Sequence, residues 1–201
     1  MEEMGVGMEH GMYWVYDYLF TVMWVVFFVY WQAKAWNVKT TQRMEPLWFK
    51  VVRSVLLLTG IALFFFDEIP LPWLYKRFYQ PSALSFWVGV TVTATGLLFA
   101  VWARTHIGRN WSRSVTIKEG HELVQTGPYR LVRHPIYTGI LTGIVGSAIA
   151  VGEVRGVVSI LLFLGSFWMK LTLEERWMRE VFGAQYAEYS LRVKALVPFV
   201  L

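Results

Sequence analysis

The sequence predicts an all-α integral membrane protein with five transmembrane helices and an N-terminus on the outer side. Three observations support this fold class. Of the 201 residues, 56% are hydrophobic and 16% are charged, whereas soluble domains contain about 25% charged residues. Five stretches approach the ~20 apolar residues that cross a bilayer core of ~30 Å. Lysine and arginine residues also collect on one side of these stretches. The composition therefore excludes a soluble globular domain and a disordered chain.

The N-terminal part of the chain is predicted to cross the membrane twice. The first span covers residues 12–33 and contains Asp17 near its outer end. The second span, residues 49–69, is the weakest of the five because Arg53 and Asp67 lie near its two ends. A charge inside the hydrocarbon region is costly, so we expect both side chains to snorkel toward the polar surfaces of the bilayer.

The other three spans have charge-free cores, which run from 78 to 103, from 135 to 152 and onward from Gly156. Only residues 152–155 separate the fourth span from the fifth, which leaves room for nothing longer than a tight antiparallel hairpin. The fourth span also carries small residues at four-residue intervals, a spacing that lets two helix backbones approach closely in lipid. These small residues are Gly139, Gly143 and Ser147.

Basic residues predict the orientation of the spans. Sixteen lysines and arginines fall in the 34–53 loop, the 104–134 loop and the C-terminal region, and three fall on the opposite side. Orientation follows Lys and Arg rather than net charge, so the side with sixteen is predicted to be cytoplasmic, with the C-terminus inside. The net charge of +5 is explained in this way, and no nucleic-acid partner is expected. The acidic start Met1-Glu2-Glu3 predicts no cleavable signal.

Two cytoplasmic segments adjoin the predicted hairpin and could form a site between cytosol and lipid. In the first, Gly127-Pro128 is a turn signal and Pro135 suits the first position of the fourth helix. His134 then lies at the mouth of that helix, and Tyr137 follows on roughly the same face. A helix N-terminus favours a carboxylate or another anion. The alternative is that Arg133 and His134 are interfacial anchors and that the tyrosines belong to an aromatic belt.

The second segment continues the fifth span. No proline interrupts the chain from Gly156 to Val197, so the helix is predicted to run to about Phe182. It would then be about 40 Å long, which exceeds the bilayer core and carries its end into the cytosol. Lys170 lies near its inner end, and Glu174 follows one turn later on the same face. The alternative is an ordinary solvated ion pair.

These residues together resemble a known family. The elements that carry the resemblance are His121-Glu-Leu-Val124, Gly127-Pro-Tyr129, Arg133-His-Pro-Ile-Tyr137, Glu174-Glu175 and Phe182-Gly-x-x-Tyr186-x-x-Tyr189. Over about residues 104–198 they resemble the motifs of the isoprenylcysteine carboxyl methyltransferase family, and phospholipid N-methyltransferases share the Arg-His-Pro-x-Tyr and Glu-Glu elements. The resemblance implies a membrane methyltransferase that uses S-adenosylmethionine without a Rossmann fold. Consistently, the chain has no Gly-x-Gly-x-x-Gly after a plausible strand.

The resemblance also implies a cytoplasmic cofactor site, formed by the loop before the fourth span and the C-terminal helix. The implied cofactor-binding residues are His121, Glu122, Leu123, Val124, Tyr129, His134, Pro135, Ile136, Tyr137 and Glu174. The implied catalytic residues are Lys170, Glu174 and Arg133. In this family an arginine lies four residues before the glutamate that binds the cofactor. Lys170 occupies that position in this chain. A lysine keeps the positive charge of the arginine but lacks the bidentate guanidinium that matches a carboxylate. No metal site is expected.

The acceptor implied by the resemblance is lipophilic, first the carboxylate of an isoprenylated cysteine, then a phospholipid amine or a small thiol. Two other classes stay open, a non-catalytic membrane transporter or assembly protein and a lipid reductase. We expect residues 1–103 to hold the first three spans and residues 104–201 to form the catalytic region of one structural domain. A compact chain of this kind is expected in the cytoplasmic membrane of a prokaryote, with membrane lipid but no obligate protein as a partner.

Overall fold

The computed structural model describes residues 3–34, 41–66, 69–108, 111, 116–118 and 123–198. These residues form five α-helices, and each predicted span overlaps one of them. The predicted helical class is therefore confirmed. The helices are α1 (Glu3–Lys34), α2 (Leu47–Phe65), α3 (Ala83–Ile107), α4 (Pro135–Val151) and α5 (Val154–Arg192).

Among the described residues, three helices are long and apolar enough to cross a membrane. They contain the segments Leu47–Phe64, Ala83–Ile107 and Val154–Arg192. Helix α4 is apolar but shorter, at 17 residues. The membrane class is confirmed, whereas the crossing of the bilayer by α1 and α4 and the orientation of the chain stay predictions.

The structure also contains a short antiparallel sheet, which the all-α prediction did not include. Strand β1 (Thr41–Met44) follows α1, and strand β2 (Thr116–Lys118) follows α3. Arg43 pairs with Ile117 and Met44 with Thr116. The sheet therefore joins the α1–α2 connection to the α3–α4 connection. Strands of three and four residues in polar loops are too short to produce a readable alternation of polar and apolar residues.

Helices α3 and α4 touch backbone to backbone. A Cβ atom built on Gly96 would lie 2.5 Å from the carbonyl oxygen of Gly139, and one built on Gly139 would lie 2.5 Å from the carbonyl oxygen of Gly96. The Thr93 hydroxyl donates to the carbonyl of Gly143 at 3.0 Å. The small-residue row of the fourth span thus produces the close approach that its spacing predicts, and its partner is α3.

The connection between α4 and α5 is the predicted tight hairpin. Gly152 ends α4 with a positive φ of 68°, in the left-handed region that glycine adopts readily, and its N–H donates to Ala148. Helix α5 begins two residues later at Val154. Across this turn, the Arg77 side chain donates to Glu153 at 3.1 Å and anchors the α2–α3 connection.

Helices α2 and α5 pack antiparallel through two serine hydroxyls. Ser159 donates to the carbonyl of Gly60 and Ser166 donates to the carbonyl of Arg53, both at 3.0 Å. The Arg53 side chain is 7% exposed and donates to Glu45 at 2.8 Å. Glu45 precedes α2 and gives Arg53 a buried partner, and the snorkelling of Arg53 toward the bilayer surface stays a prediction. Asp67 lies outside the described residues.

Helix α5 has a kink close to the predicted end of the fifth helix. Gly183 has a non-helical backbone, with φ 50° and ψ −123°. The straight part before it spans about 43 Å at 1.5 Å per residue. After the kink the chain returns to the α3–α4 connection, where the Tyr189 hydroxyl donates to the carbonyl of Tyr129 at 2.5 Å.

Candidate functional site

The candidate site begins at the N-terminus of α4. His134 is the N-cap residue and Pro135 occupies the first helical position, where its fixed φ and missing N–H cost nothing. The N–H groups of Ile136 and Tyr137 lie in the first turn and have no carbonyl partner within α4. They also lie at the positive end of the helix dipole. This end of α4 is therefore suited to an anionic group.

Tyr137 and Glu174 join α4 to α5 at this point. The Tyr137 hydroxyl lies 2.8 Å from each carboxylate oxygen of Glu174 and donates to that group. His134 Nδ1 is 3.6 Å from Glu174 Oε2, and Lys170 Nζ is 3.8 Å from Glu174 Oε1. The prediction that Lys170 and Glu174 share one face of the helix is confirmed. Both side chains turn toward the mouth of α4 rather than forming a solvated surface pair.

A stack of three rings holds the tyrosine. The rings of His134 and Tyr137 have centroids 5.4 Å apart and an interplanar angle of 9°. On its other side Tyr137 stacks with Phe167 at 4.9 Å and 20°. Lys170 Nζ lies 5.3 Å from the centre of the Tyr137 ring, within the range of a cation–π contact. The stack fixes the direction of the Tyr137 hydroxyl toward the Glu174 carboxylate.

Arg133 belongs to a second, adjoining network around Glu175. Its Nε donates to Glu175 Oε1 at 2.9 Å, and its Nη2 donates to the same oxygen at 2.5 Å. His134 Nε2 lies 3.2 Å from this oxygen too. The Arg133 side chain is 10% exposed, so it is not the interfacial anchor of the alternative interpretation. Its geometry is that of a positioning residue, and a catalytic role for it stays a prediction.

The segment after α5 is tied across the mouth of α4. The N–H groups of Arg133 and His134 donate to the carbonyls of Lys194 and Ala195, at 2.8 and 2.9 Å. The Thr138 hydroxyl donates to the carbonyl of Leu196 at 2.7 Å. Arg133 Nη1 also donates to the carbonyls of Ser190 and Val193. We call residues 193–196 the C-terminal strap.

Tyr129 approaches the site from the connection before α4. It lies in a 3-10 turn, Gly127–Arg130, and is buried. Burial, reinforced by the nearby Glu174 carboxylate, raises the pKa of the Tyr129 phenol. The group is therefore neutral at physiological pH and does not add a negative charge beside Glu174. The other residues implied for this connection are Leu123 and Val124, which are half-buried, and His121 and Glu122, which lie outside the described residues.

Sequence reasoning missed three charged residues around the site. Glu175 appeared only as part of a motif, although it orients both Arg133 and His134. Glu45 and Arg53 were not placed in the site at all. For Arg53, the signal available in the sequence was a charge within an apolar span, which in membrane proteins marks a functional position by default.

The sequence that forms this site matches a known family. The family model described as phospholipid methyltransferase matches residues 84–185, slightly more than half of the chain. The matched region contains the N-terminus of α4, the ring stack, Glu174 and Glu175. The chain belongs to the phospholipid methyltransferase family. Within it, the resemblance to the isoprenylcysteine carboxyl methyltransferases is confirmed by the relatives that follow.

Several curated relatives are about one-third identical to the chain. A probable protein-S-isoprenylcysteine O-methyltransferase of Oryza sativa subsp. indica is 31% identical over 127 residues, which cover 60% of this chain and 66% of that protein. Protein-S-isoprenylcysteine O-methyltransferase B of Arabidopsis thaliana is 31% identical over 115 residues, which cover 56% and 58%. The cobalt-zinc-cadmium resistance protein CzcN of Cupriavidus metallidurans is 31% identical over 115 residues, which cover 56% and 51%. The alignments thus span less than two thirds of these relatives.

Proposed function

We propose that the chain is a membrane methyltransferase that moves a methyl group from S-adenosylmethionine to a lipophilic acceptor, first of all the carboxylate of an isoprenylated cysteine. The observation that carries this proposal is the Glu174 carboxylate, fixed by the Tyr137 hydroxyl at 2.8 Å beside His134 and Lys170. Its side chain remains 21% exposed, so it is anchored and still accessible to a ligand. Family membership supports the same reaction class.

The residues present fit each part of this cofactor. The N–H groups of Ile136 and Tyr137 can bind its carboxylate, and Glu174 can bind its ribose hydroxyls or its amino group. Leu123 and Val124 can form the apolar wall that an adenine ring requires. The ring of Tyr129 can stabilise a sulfonium cation. When bound, S-adenosylmethionine supplies an electrophilic methyl group.

The protein's contribution to methyl transfer is alignment and exclusion of water, because an in-line displacement needs no covalent intermediate. The ring stack of His134, Tyr137 and Phe167 keeps one wall of the site rigid and apolar. Lys170 is buried at this wall and supplies a cation for the acceptor oxygen that attacks. A phospholipid amine or a small thiol is the alternative acceptor.

The proposal includes a topology with five spans. Helices α1 and α4 are assigned as spans with the other three, the N-terminus lies outside, and the C-terminal region lies in the cytosol. The distribution of sixteen basic residues against three supports this orientation. The catalytic region, 104–201, then meets cytosol and lipid together, in the cytoplasmic membrane of a prokaryote.

Calorimetric titration of S-adenosylhomocysteine into the detergent-purified protein tests the cofactor assignment. We expect saturable binding that weakens at least tenfold in Glu174→Ala, because a charged hydrogen-bond partner is lost. Glu188→Ala is the matched control, since Glu188 lies on the same helix with a side chain 72% exposed. Equal affinity in wild type and Glu174→Ala would contradict the role of this residue. If the folded, monodisperse wild type does not bind, the methyltransferase proposal fails, and nicotinamide binding would then favour the reductase class.

A further inference from the structure

We propose that Arg53 of α2, oriented by Glu45, binds the carboxylate of the acceptor together with Lys170 and thereby selects acidic acceptors. This inference rests on the proposed function and deepens it. It adds a specificity residue from α2, outside the matched region 84–185.

The first argument is the incomplete pairing of a buried guanidinium. Arg53 Nη2 donates to Glu45 Oε1 at 2.8 Å, and the two side chains are 7% and 1% exposed. Among the described residues, Arg53 Nε and Glu45 Oε2 are buried and have no hydrogen-bond partner. An unpaired buried donor is costly. A carboxylate oxygen placed beside Arg53 Nε would satisfy this donor with a charge-assisted hydrogen bond.

The second argument is the position of Arg53 relative to the site. Its carbonyl accepts the Ser166 hydroxyl at 3.0 Å, and Ser166 lies one helical turn before Lys170 on the same face of α5. The Arg53 guanidinium is within electrostatic range of the Lys170 ammonium and of Tyr137. Glu45 is within the same range of Lys170. Arg53 therefore brings a second cation close to Lys170 and Tyr137.

The test compares an acidic ligand with its uncharged ester, so it does not depend on turnover. N-acetyl-S-farnesylcysteine and its methyl ester are titrated calorimetrically into the detergent-purified full chain, with and without S-adenosylhomocysteine. We expect the wild type to bind the acid at least tenfold more tightly than the ester. Arg53→Gln removes this preference and leaves the affinity for the ester within twofold. Arg53→Lys keeps part of the preference, since a lysine retains the charge but not the fork.

Matched variants separate recognition from folding. Lys50→Gln removes a charge from the exposed face of the same helix, and it should keep the full preference for the acid. Arg53→Gln leaves Glu45 buried without a cation, so this single variant is at risk of misfolding. The double variant Glu45→Gln/Arg53→Gln removes both charges and replaces the single variant in the titrations if that variant does not fold. The double variant should bind the ester normally and lose the preference.

Two results would overturn the assignment of Arg53. One is equal binding of acid and ester by the wild type, and the other is a preference for the acid that survives in a folded variant without Arg53. Failure of the proposed function has a different signature, because S-adenosylhomocysteine would then not bind while the Arg53-dependent preference for the acid persisted. The two failures are therefore distinguishable.

Discussion

Lys170 lies beside two residues of the proposed cofactor site. Its ammonium lies 3.8 Å from Glu174, on the cofactor side, and 5.3 Å from the ring centre of Tyr137. Its side chain is buried although it lies on a helix assigned to the membrane. A buried lysine in such a helix is costly to keep. We propose that a role at the acceptor offsets this cost.

We expect Lys170→Ala to lower the turnover of methyl transfer about tenfold to hundredfold, the usual effect of losing a charged hydrogen-bond partner. The affinity for S-adenosylhomocysteine should change little, since Tyr137 still holds Glu174. Radiolabelled methyl transfer to N-acetyl-S-farnesylcysteine measures the turnover. Arg176→Ala, on the exposed face of the same helix, is the control. Unchanged turnover in Lys170→Ala would remove this residue from the acceptor site.

At the scale of single residues, the sequence predicts contacts along one helix and misses contacts between distant segments. The face shared by Lys170 and Glu174 follows from the spacing of four residues. The pairing of His134 with Tyr137 follows in the same way. The approach of Arg53 to α5 does not, because its carbonyl contacts Ser166, 113 residues away in the chain. The periodicity of polar and apolar residues along the sequence does not predict such a contact.

At the scale of the helices, packing between α3 and α4 supports the site from behind. Gly139 lies one turn below the mouth of α4, and its Cα faces the backbone of Gly96. In lipid, helices associate through close van der Waals packing rather than through the hydrophobic effect. The position of Tyr137 therefore depends on how closely α4 approaches α3.

We expect Gly139→Ala to destabilise the protein by about 1–3 kcal/mol, the usual cost of inserting a methyl group into a filled contact. The added Cβ would lie 2.5 Å from the carbonyl oxygen of Gly96. Gly165→Ala is the matched control, because the nearest described atom to its Cβ is Leu56 Cδ1 at 4.0 Å. Thermal unfolding in detergent, followed by circular dichroism, should show a lower Tm for Gly139→Ala alone. An equal Tm for both variants would contradict the close contact.

The helices and the hairpin were predictable because apolar length and turn length are local properties of the sequence. The sheet of β1 and β2 was not, since its strands pair across more than seventy residues. The sequence also did not predict which helix packs against the small-residue row of α4. Gly139, Gly143 and Ser147 predict that some backbone comes close, but the choice of α3 depends on the arrangement of all the helices.

At the scale of the whole molecule, the proposed orientation is open to a direct test. The chain contains no cysteine, so a single introduced thiol reports one position. Gln80→Cys lies in the α2–α3 connection and Glu188→Cys lies beyond the kink of α5, both at exposed positions. In intact cells, a membrane-impermeant maleimide should label Gln80→Cys, and it should label Glu188→Cys only after permeabilisation. The reverse pattern would invert the topology.

The C-terminal strap has a consequence for biogenesis. The N–H groups of Arg133 and His134 receive their acceptors from Lys194 and Ala195, which leave the ribosome about sixty residues later. In the interval, α5 must be synthesised and inserted into the bilayer. A nascent chain that has completed α4 therefore has the mouth of the helix without its cover or Glu174. The proposed cofactor site is therefore complete only after α5 and the C-terminal strap have been synthesised.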